Sequence, residues 1–222
     1  MSSAASAAEL LARNDERFAT SVRELDEHEW ASPSLCAEWT NHDVLAHLVV
    51  GYSAPVHAVA GEMIRCRGNF DAANTRMARD LAAHRAPPQL LDDFDRLRAH
   101  PRGIGALLPK RLLLGDHVMH ELDIVFALGR EPSIPGDILA AVLQAEVSIP
   151  NPFVPARRRA QGLTLHATDT AWTHRNEPGH DHIVYGAAAD LASVLAGRPH
   201  ALPRLTGTGV DRLHATLGRV TS

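Results

Sequence analysis

The stretch Ile149-Pro150-Asn151-Pro152-Phe153-Val154-Pro155 separates two hydrophobic periodicities that cannot share one layer of structure. Before it, apolar residues recur at helical spacing; after it, they come in short runs with strand character. The sequence therefore predicts a helical bundle over residues 1–150, a linker over 151–159 that ends in Arg157-Arg158-Arg159, and a small α/β domain over 160–222. The second part is marginal alone by size and is expected to dock on the bundle.

In the first part, Ala4 to Leu25 carries Leu10, Leu11, Phe18, Val22 and Leu25 at helical intervals. Thr40-Asn41-His42-Asp43 has the T-x-x-D form of a capping box, with Thr40 as N-cap and Asp43 reaching back. The helix that follows runs to about Arg65, with Pro55 positioned to kink it. Further helices are expected at Asp71–His84, Gln89–Ala99, Leu107–Leu128 and Pro135–Ile149, with Gly129 closing the third of these regions as its C′ residue. Beyond the prolines, Leu163–Thr168, Ala171–His174 and Ile183–Tyr185 read as strands, and Ala187–Ala196 and Val210–Leu217 as helices.

Composition narrows the function. A chain of 222 residues with 45% apolar residues folds without needing disulfides, and Cys36 and Cys66 are too few for a disulfide framework. No apolar run reaches about 18 residues, and Met1-Ser2-Ser3-Ala4 does not open a signal peptide, so a cytoplasmic protein without a membrane partner is expected. A net charge of −4 argues against non-specific nucleic-acid binding. Lys110 is the only lysine among Ala- and Arg-rich sequence, a composition that suits a GC-rich bacterial genome. Fourteen histidines direct attention to metal or acid–base chemistry.

Gly115-Asp116-His117-Val118-Met119-His120-Glu121-Leu122-Asp123 is the most suggestive segment. Asp116 and His120 stand four apart on a helix, close enough for each to give one ligand to a divalent cation, and Asp123 is placed to orient the imidazole from behind. Spacing alone does not decide, because composition produces roughly three acid–histidine pairs of this kind by chance. The rival stripe His117/Glu121 is also flanked by apolar residues. His47 lies on a face with Asp43, Gly51 and Ala54, where small residues admit either another helix or a ligand; a core histidine satisfied by Asp43 is the plainer alternative. Cys36, before the capped helix, is either a nucleophile near its positive end or, more commonly, a packed thiol. The sequence contains no dinucleotide-binding glycine motif, phosphate loop, H-E-x-x-H or nucleophile elbow.

The segment Leu35 to Leu48 resembles the C-x-x-W-[ST]-x-x-D-[VL]-x-x-H-[LV] signature of the mycothiol-dependent maleylpyruvate isomerase family, within the DinB-like helical bundles. His120-Glu121-Leu122-Asp123 with Gly129, Thr168-Asp169 with Trp172, and Gly186 to Arg198 followed by Gly207-Thr208-Gly209-Val210 agree in order and position. The resemblance implies a mainly α protein: a DinB-like four-helix bundle that binds metal, with a small C-terminal α/β domain. It implies His47, Asp116 and His120 as metal ligands, with Asp in a position where the family often has Glu. Asp123 and Asp43 are the expected supports behind them, and Arg198 is a candidate holder of a substrate or thiol carboxylate. The cofactors implied are a divalent metal, Zn2+ first, and mycothiol as thiol cosubstrate, an actinobacterial thiol. No catalytic acid or base is assigned.

These features lead to a zinc-dependent, thiol-using isomerase or S-transferase acting on a small electrophilic substrate, as a monomer or homodimer. A metal-dependent hydrolase, with water in place of thiol, and a non-catalytic ligand-binding or regulatory bundle are the alternatives.

Overall fold

The computed structural model describes residues 5–151, 154–175 and 182–218. The expected features at residues 1–4, and Pro152 and Phe153 of the linker, lie outside them. The chain divides into two compact units, Met1–Glu131 and Pro132–Ser222.

The first unit is helical: α1 (Ala7–Val22), α2 (Glu27–Ala31), α3 (Asn41–Ser53), α4 (Val56–Arg65), α5 (Phe70–His84), α6 (Pro87–Ala99) and α7 (Lys110–Ala127). Helices α1, α3, α6 and α7 pack around one core, and α5 covers α3 from the other side. Phe18, Leu45, Leu48, Tyr52, Leu90, Phe94, Leu114 and Leu122 fill that core and are fully buried. The rings of Phe18 and Phe94 meet edge to face at 5.6 Å between centroids. At roughly 1.5–3 kcal/mol per buried large side chain, this packing rather than helix propensity holds the bundle.

Local signals place the ends of the helices. Thr40 caps α3 as expected, its hydroxyl accepting from Asp43 N–H while Asp43 accepts from the Thr40 N–H. Pro55 does more than kink the second expected helix: it divides it into α3 and α4, since it cannot donate to the helical ladder. Gly129 adopts φ +65 beyond α7, the left-handed conformation that suits a glycine after a helix.

The small face of α3 is used for close backbone approach. A short 3-10 turn, Gly103–Ala106, lies against its C-terminal end. A Cβ on Gly105 would stand 2.6 Å from the Gly51 carbonyl oxygen, and one on Gly103 would overlap the Ala54 carbonyl. Ile104 N–H donates to that Ala54 oxygen at 2.9 Å.

The second unit contains α8 (Gly136–Ser148), α9 (Ala156–Arg159), β1 (Thr164–Ala167), β2 (Thr173–His174), β3 (Ile183–Gly186), α10 (Ala188–Leu195) and α11 (Val210–Leu217). The sheet order is β2-β1-β3, with β1 antiparallel to β2 and parallel to β3. Helix α10 packs on α8 and reaches β3 and α9. Thus α8, grouped with the bundle by its place before the prolines, packs in the unit that holds the sheet. Its apolar face, Ile138, Leu139, Val142 and Leu143, is buried there. The arginine run expected as linker forms the turn of helix α9, and Arg159 is buried with its Nη1 donating to the Leu195 carbonyl at 2.7 Å.

Candidate metal centre

Two helices of the first unit bring the site together. On α3 the period of the helix places His47 among buried residues, and its Nε2 faces Asp116 Oδ2 of α7 at 3.3 Å. On α7 His120 follows Asp116 by one turn, and its Nε2 lies 3.5 Å from Asp116 Oδ1. One ligand atom from each of His47, Asp116 and His120 falls within 4.8 Å of the others. Two imidazoles and a carboxylate, all presented from rigid helices, suit a divalent ion with one coordination position left over. The three residues implied by resemblance therefore share one cluster.

Each imidazole is held by its other nitrogen. His47 Nδ1 lies 2.9 Å from Asn74 Oδ1 on α5, a contact that orients the ring with Nε2 toward the cluster. His120 Nδ1 lies 3.3 Å from Asp123 Oδ2, which is fully buried at the next turn of α7. A carboxylate behind a ligand histidine orients the ring and raises its basicity. Asp123 thus stands behind the His120 ring. The Asp43 carboxylate does not reach His47: its Oδ2 accepts from the Thr40 N–H at 2.9 Å and the Thr40 hydroxyl at 2.8 Å. Asn74 stands where Asp43 was expected, because the first turn of α3 spends that carboxylate on its own cap.

Trp39 forms one wall. Its ring stacks on His120, with centroids 5.8 Å apart and planes at 22°, and tilts against His47 at 5.2 Å. Trp39 Nε1 donates to Thr75 Oγ1 at 3.1 Å, which fixes the indole. The loop that carries it is anchored to α7 by the Leu35 N–H donating to the Asp123 carbonyl at 3.1 Å, and Glu38 turns the chain there with φ +64. Cys36 lies in the same loop, its Sγ donating to Asp123 Oδ2 at 2.9 Å and standing 3.5 Å from His120 Nδ1.

The charges respond to this crowding. Desolvation works against the Asp116 charge, although 42% of the side chain stays open to solvent; the imidazoles of His47 and His120 outweigh it and hold the carboxyl well below its usual range. Burial likewise disfavours a charged His120, but Cys36, Asp116 and Asp123 push its pKa well above the ordinary histidine value. Negative charge is thus gathered around the place where a cation would sit.

The rival stripe of α7 faces the core. His117 Nδ1 lies 2.8 Å from Asp15 Oδ1, and Tyr52 donates its hydroxyl to the other oxygen of Asp15. Glu121 pairs with Arg17, whose Nη1 stands 2.6 Å away. These groups belong to buried polar pairs that tie α7 to α1 and are not drawn into the His47 cluster. Arg198 belongs to the second unit, where its Nη1 donates to the Ala196 carbonyl at 3.1 Å.

Sequence reasoning did not single out Asn74 and treated Trp39 only as part of a motif. Helix spacing cannot find Asn74, since its role depends on α5 crossing α3.

Comparison with known proteins places this geometry in context. Residues 11–104 match the family model described as the mycothiol maleylpyruvate isomerase N-terminal domain, a span that includes His47 and ends before α7. Among curated proteins, none matches the chain. Two solved structures are similar at 18% sequence identity, each covering 86% of this chain and 88% of its own. They are the crystal structure of the mycothiol-dependent maleylpyruvate isomerase, with a TM-score of 0.47, and that of a histidine-to-alanine mutant of it, with 0.46. No helix among the described residues is long and apolar enough to cross a membrane.

Proposed function

We propose, from the match of residues 11–104 to the mycothiol maleylpyruvate isomerase N-terminal domain, that this chain is a metal-dependent, mycothiol-using isomerase of small electrophilic acids. The observation that carries the reading is the convergence of His47 Nε2, His120 Nε2 and the Asp116 carboxylate from α3 and α7.

That donor set fits Zn2+ in a site of catalytic type, with three protein ligands and an open position. A divalent ion held there supplies a place where a thiol loses its proton near neutral pH. The protein's part is to keep both histidines in one tautomer. Asn74 holds the Nδ1 proton of His47, and Asp123 holds that of His120. Asp116 supplies the anionic group of the trio, and both imidazoles favour its carboxylate form. Trp39 covers the face of His120, so approach is from the open side of Asp116.

A thiolate that adds to a conjugated double bond leaves a single bond about which the substrate turns. Its departure restores the double bond in the other configuration, and the thiol is regenerated. Such a reaction asks the protein mainly for a thiolate and for orientation of the acid, which matches the absence of an assigned acid or base. Arg198 is the proposed holder of a carboxylate.

The test is elemental analysis of purified protein followed by isomerisation assays with and without mycothiol. Close to one zinc or similar ion per chain, and turnover that needs both ion and thiol, are expected. Hydrolysis of esters or amides without any thiol would replace this reading with the hydrolase.

A further inference from the structure

A second set of donors lies on the far side of the His120 ring. Cys36 Sγ, Asp123 Oδ2 and His120 Nδ1 fall within 4.8 Å of one another. They come from two elements, the loop before α3 and the helix α7, which the Leu35–Asp123 backbone hydrogen bond ties together. Asp123 and His120 are buried and Cys36 is half-buried, so the trio is packed into the fold and is no surface coincidence. We propose that Cys36, Asp123 and His120 form a second cation site, suited to a thiophilic divalent ion such as Zn2+ or Cd2+.

The separations support this. Tetrahedral Zn2+, with sulfur at about 2.3 Å and nitrogen or oxygen at about 2.0–2.1 Å, spaces its ligands by roughly 3.3–3.6 Å. Here sulfur to nitrogen is 3.5 Å and nitrogen to oxygen is 3.3 Å. Sulfur to oxygen is 2.9 Å, shorter because the thiol donates its hydrogen to that carboxylate. Exchange of that proton for a cation widens the contact by about half an ångström. The donor types differ from the first cluster: a thiolate favours soft ions, whereas two imidazoles and a carboxylate accept harder ones as well.

The two sets meet in one imidazole. His120 turns Nε2 toward Asp116 and Nδ1 toward Asp123 and Cys36. A neutral ring has one lone pair to give, so an ion on the thiol side takes the Nδ1 position that otherwise holds a proton. Binding there releases the Cys36 proton to solvent and places the ring proton on Nε2, beside Asp116, so a neutral His120 serves one ion at a time, and no oxidant or reductant is involved.

The experiment uses the full chain with Cys66→Ser, so that Cys36 is its only thiol. Cd2+ is titrated in, and the ultraviolet charge-transfer absorption of a thiolate–cadmium bond is followed. The expected result is a band that saturates at one thiolate-bound ion per chain. It should be lost on adding Cys36→Ser, shift to at least about tenfold higher Cd2+ concentration with Asp123→Asn, and persist with His47→Ala, which disables the first cluster only. Circular dichroism confirms that each variant is folded. Absence of the band in the Cys66→Ser chain, or a band unaltered by Asp123→Asn, overturns the proposal. Failure of the first cluster shows separately, as absence of zinc from the chain carrying both serine substitutions.

Discussion

The imidazole rings of His47 and His120 meet edge to face, with centroids 4.5 Å apart and planes at 68°. Rings so arranged turn one nitrogen each toward a shared point while their other nitrogens face away, to Asn74 and to Asp123. Asp116 sits beside that point. The metal chemistry proposed for the chain therefore depends on five side chains.

The first prediction concerns the supports. His47→Ala and His120→Ala should lose most of the bound ion, because each removes one of three ligands. Asn74→Ala leaves all three ligands but frees His47 to rotate and change tautomer; metal affinity should fall by about 10–100-fold. Competition against a chelator of known affinity measures this. Unchanged affinity in Asn74→Ala would show that packing against Trp39 alone holds the ring.

His117 is predicted to behave differently from its neighbours. It is buried and bonded to Asp15, so His117→Ala removes a hydrogen-bond partner from a buried carboxylate and opens a cavity. A loss of about 2–4 kcal/mol in unfolding free energy is expected, with metal content unchanged. Denaturant unfolding and elemental analysis on the same sample check both halves. Loss of metal from a folded His117→Ala protein would move the site to the other face of α7.

Much of this was legible in the sequence, and the failures have physical causes. The capping box at Thr40 and the glycine after α7 are local signals that produced what each one forecast, whereas Pro55, expected to kink a helix, divides it. Strands β1 and β2 fall within the short runs expected of them, and β3 runs one residue past its own, to Gly186. The grouping of α8 was not legible, because an apolar face reads the same whichever core it enters. Asp43 illustrates a competition between two roles for one carboxylate, won by the cap three residues away. Cys36 reads as a packed thiol when taken alone; only the fold of its loop onto α7 brings Asp123 and His120 to it.

Stability should depend on pH through Glu146. Both of its carboxylate oxygens are buried and meet no hydrogen-bond donor among the described residues. Burial pushes its pKa well above the usual value, against the opposing pull of Arg198 and Arg159. A carboxyl whose pKa is raised by folding contributes stability that is present at low pH and lost as pH rises through the folded value. Between the unfolded and the folded pKa each pH unit costs about 1.4 kcal/mol, and above the folded value the cost stays constant. Glu146→Gln, which keeps the shape of the neutral acid, should match wild type in mild acid and exceed it in stability at neutral and alkaline pH. Thermal unfolding of both proteins across pH tests this; parallel curves would show that the charge is satisfied in place.

The last prediction concerns the thiol. A free thiol titrates near pH 8.5, so at pH 7 it reaches the protein almost wholly protonated. If it binds as thiolate beside Asp116, His47 and His120, its proton must go to the buffer. Calorimetric heats of thiol binding should then differ between two buffers by close to one buffer ionisation enthalpy per mole bound. The difference should vanish in His120→Ala, because the ion that stabilises the thiolate is lost with its ligand. Mycothiol should bind more tightly than a simple thiol, since its sugar-bearing body adds contacts beyond the sulfur. Equal heats in both buffers, or equal binding by wild type and His120→Ala, would remove the thiol from the mechanism. Proton release without isomerisation of a maleylpyruvate-like acid would retain the thiolate and replace isomerisation by transfer of the thiol to a different electrophile.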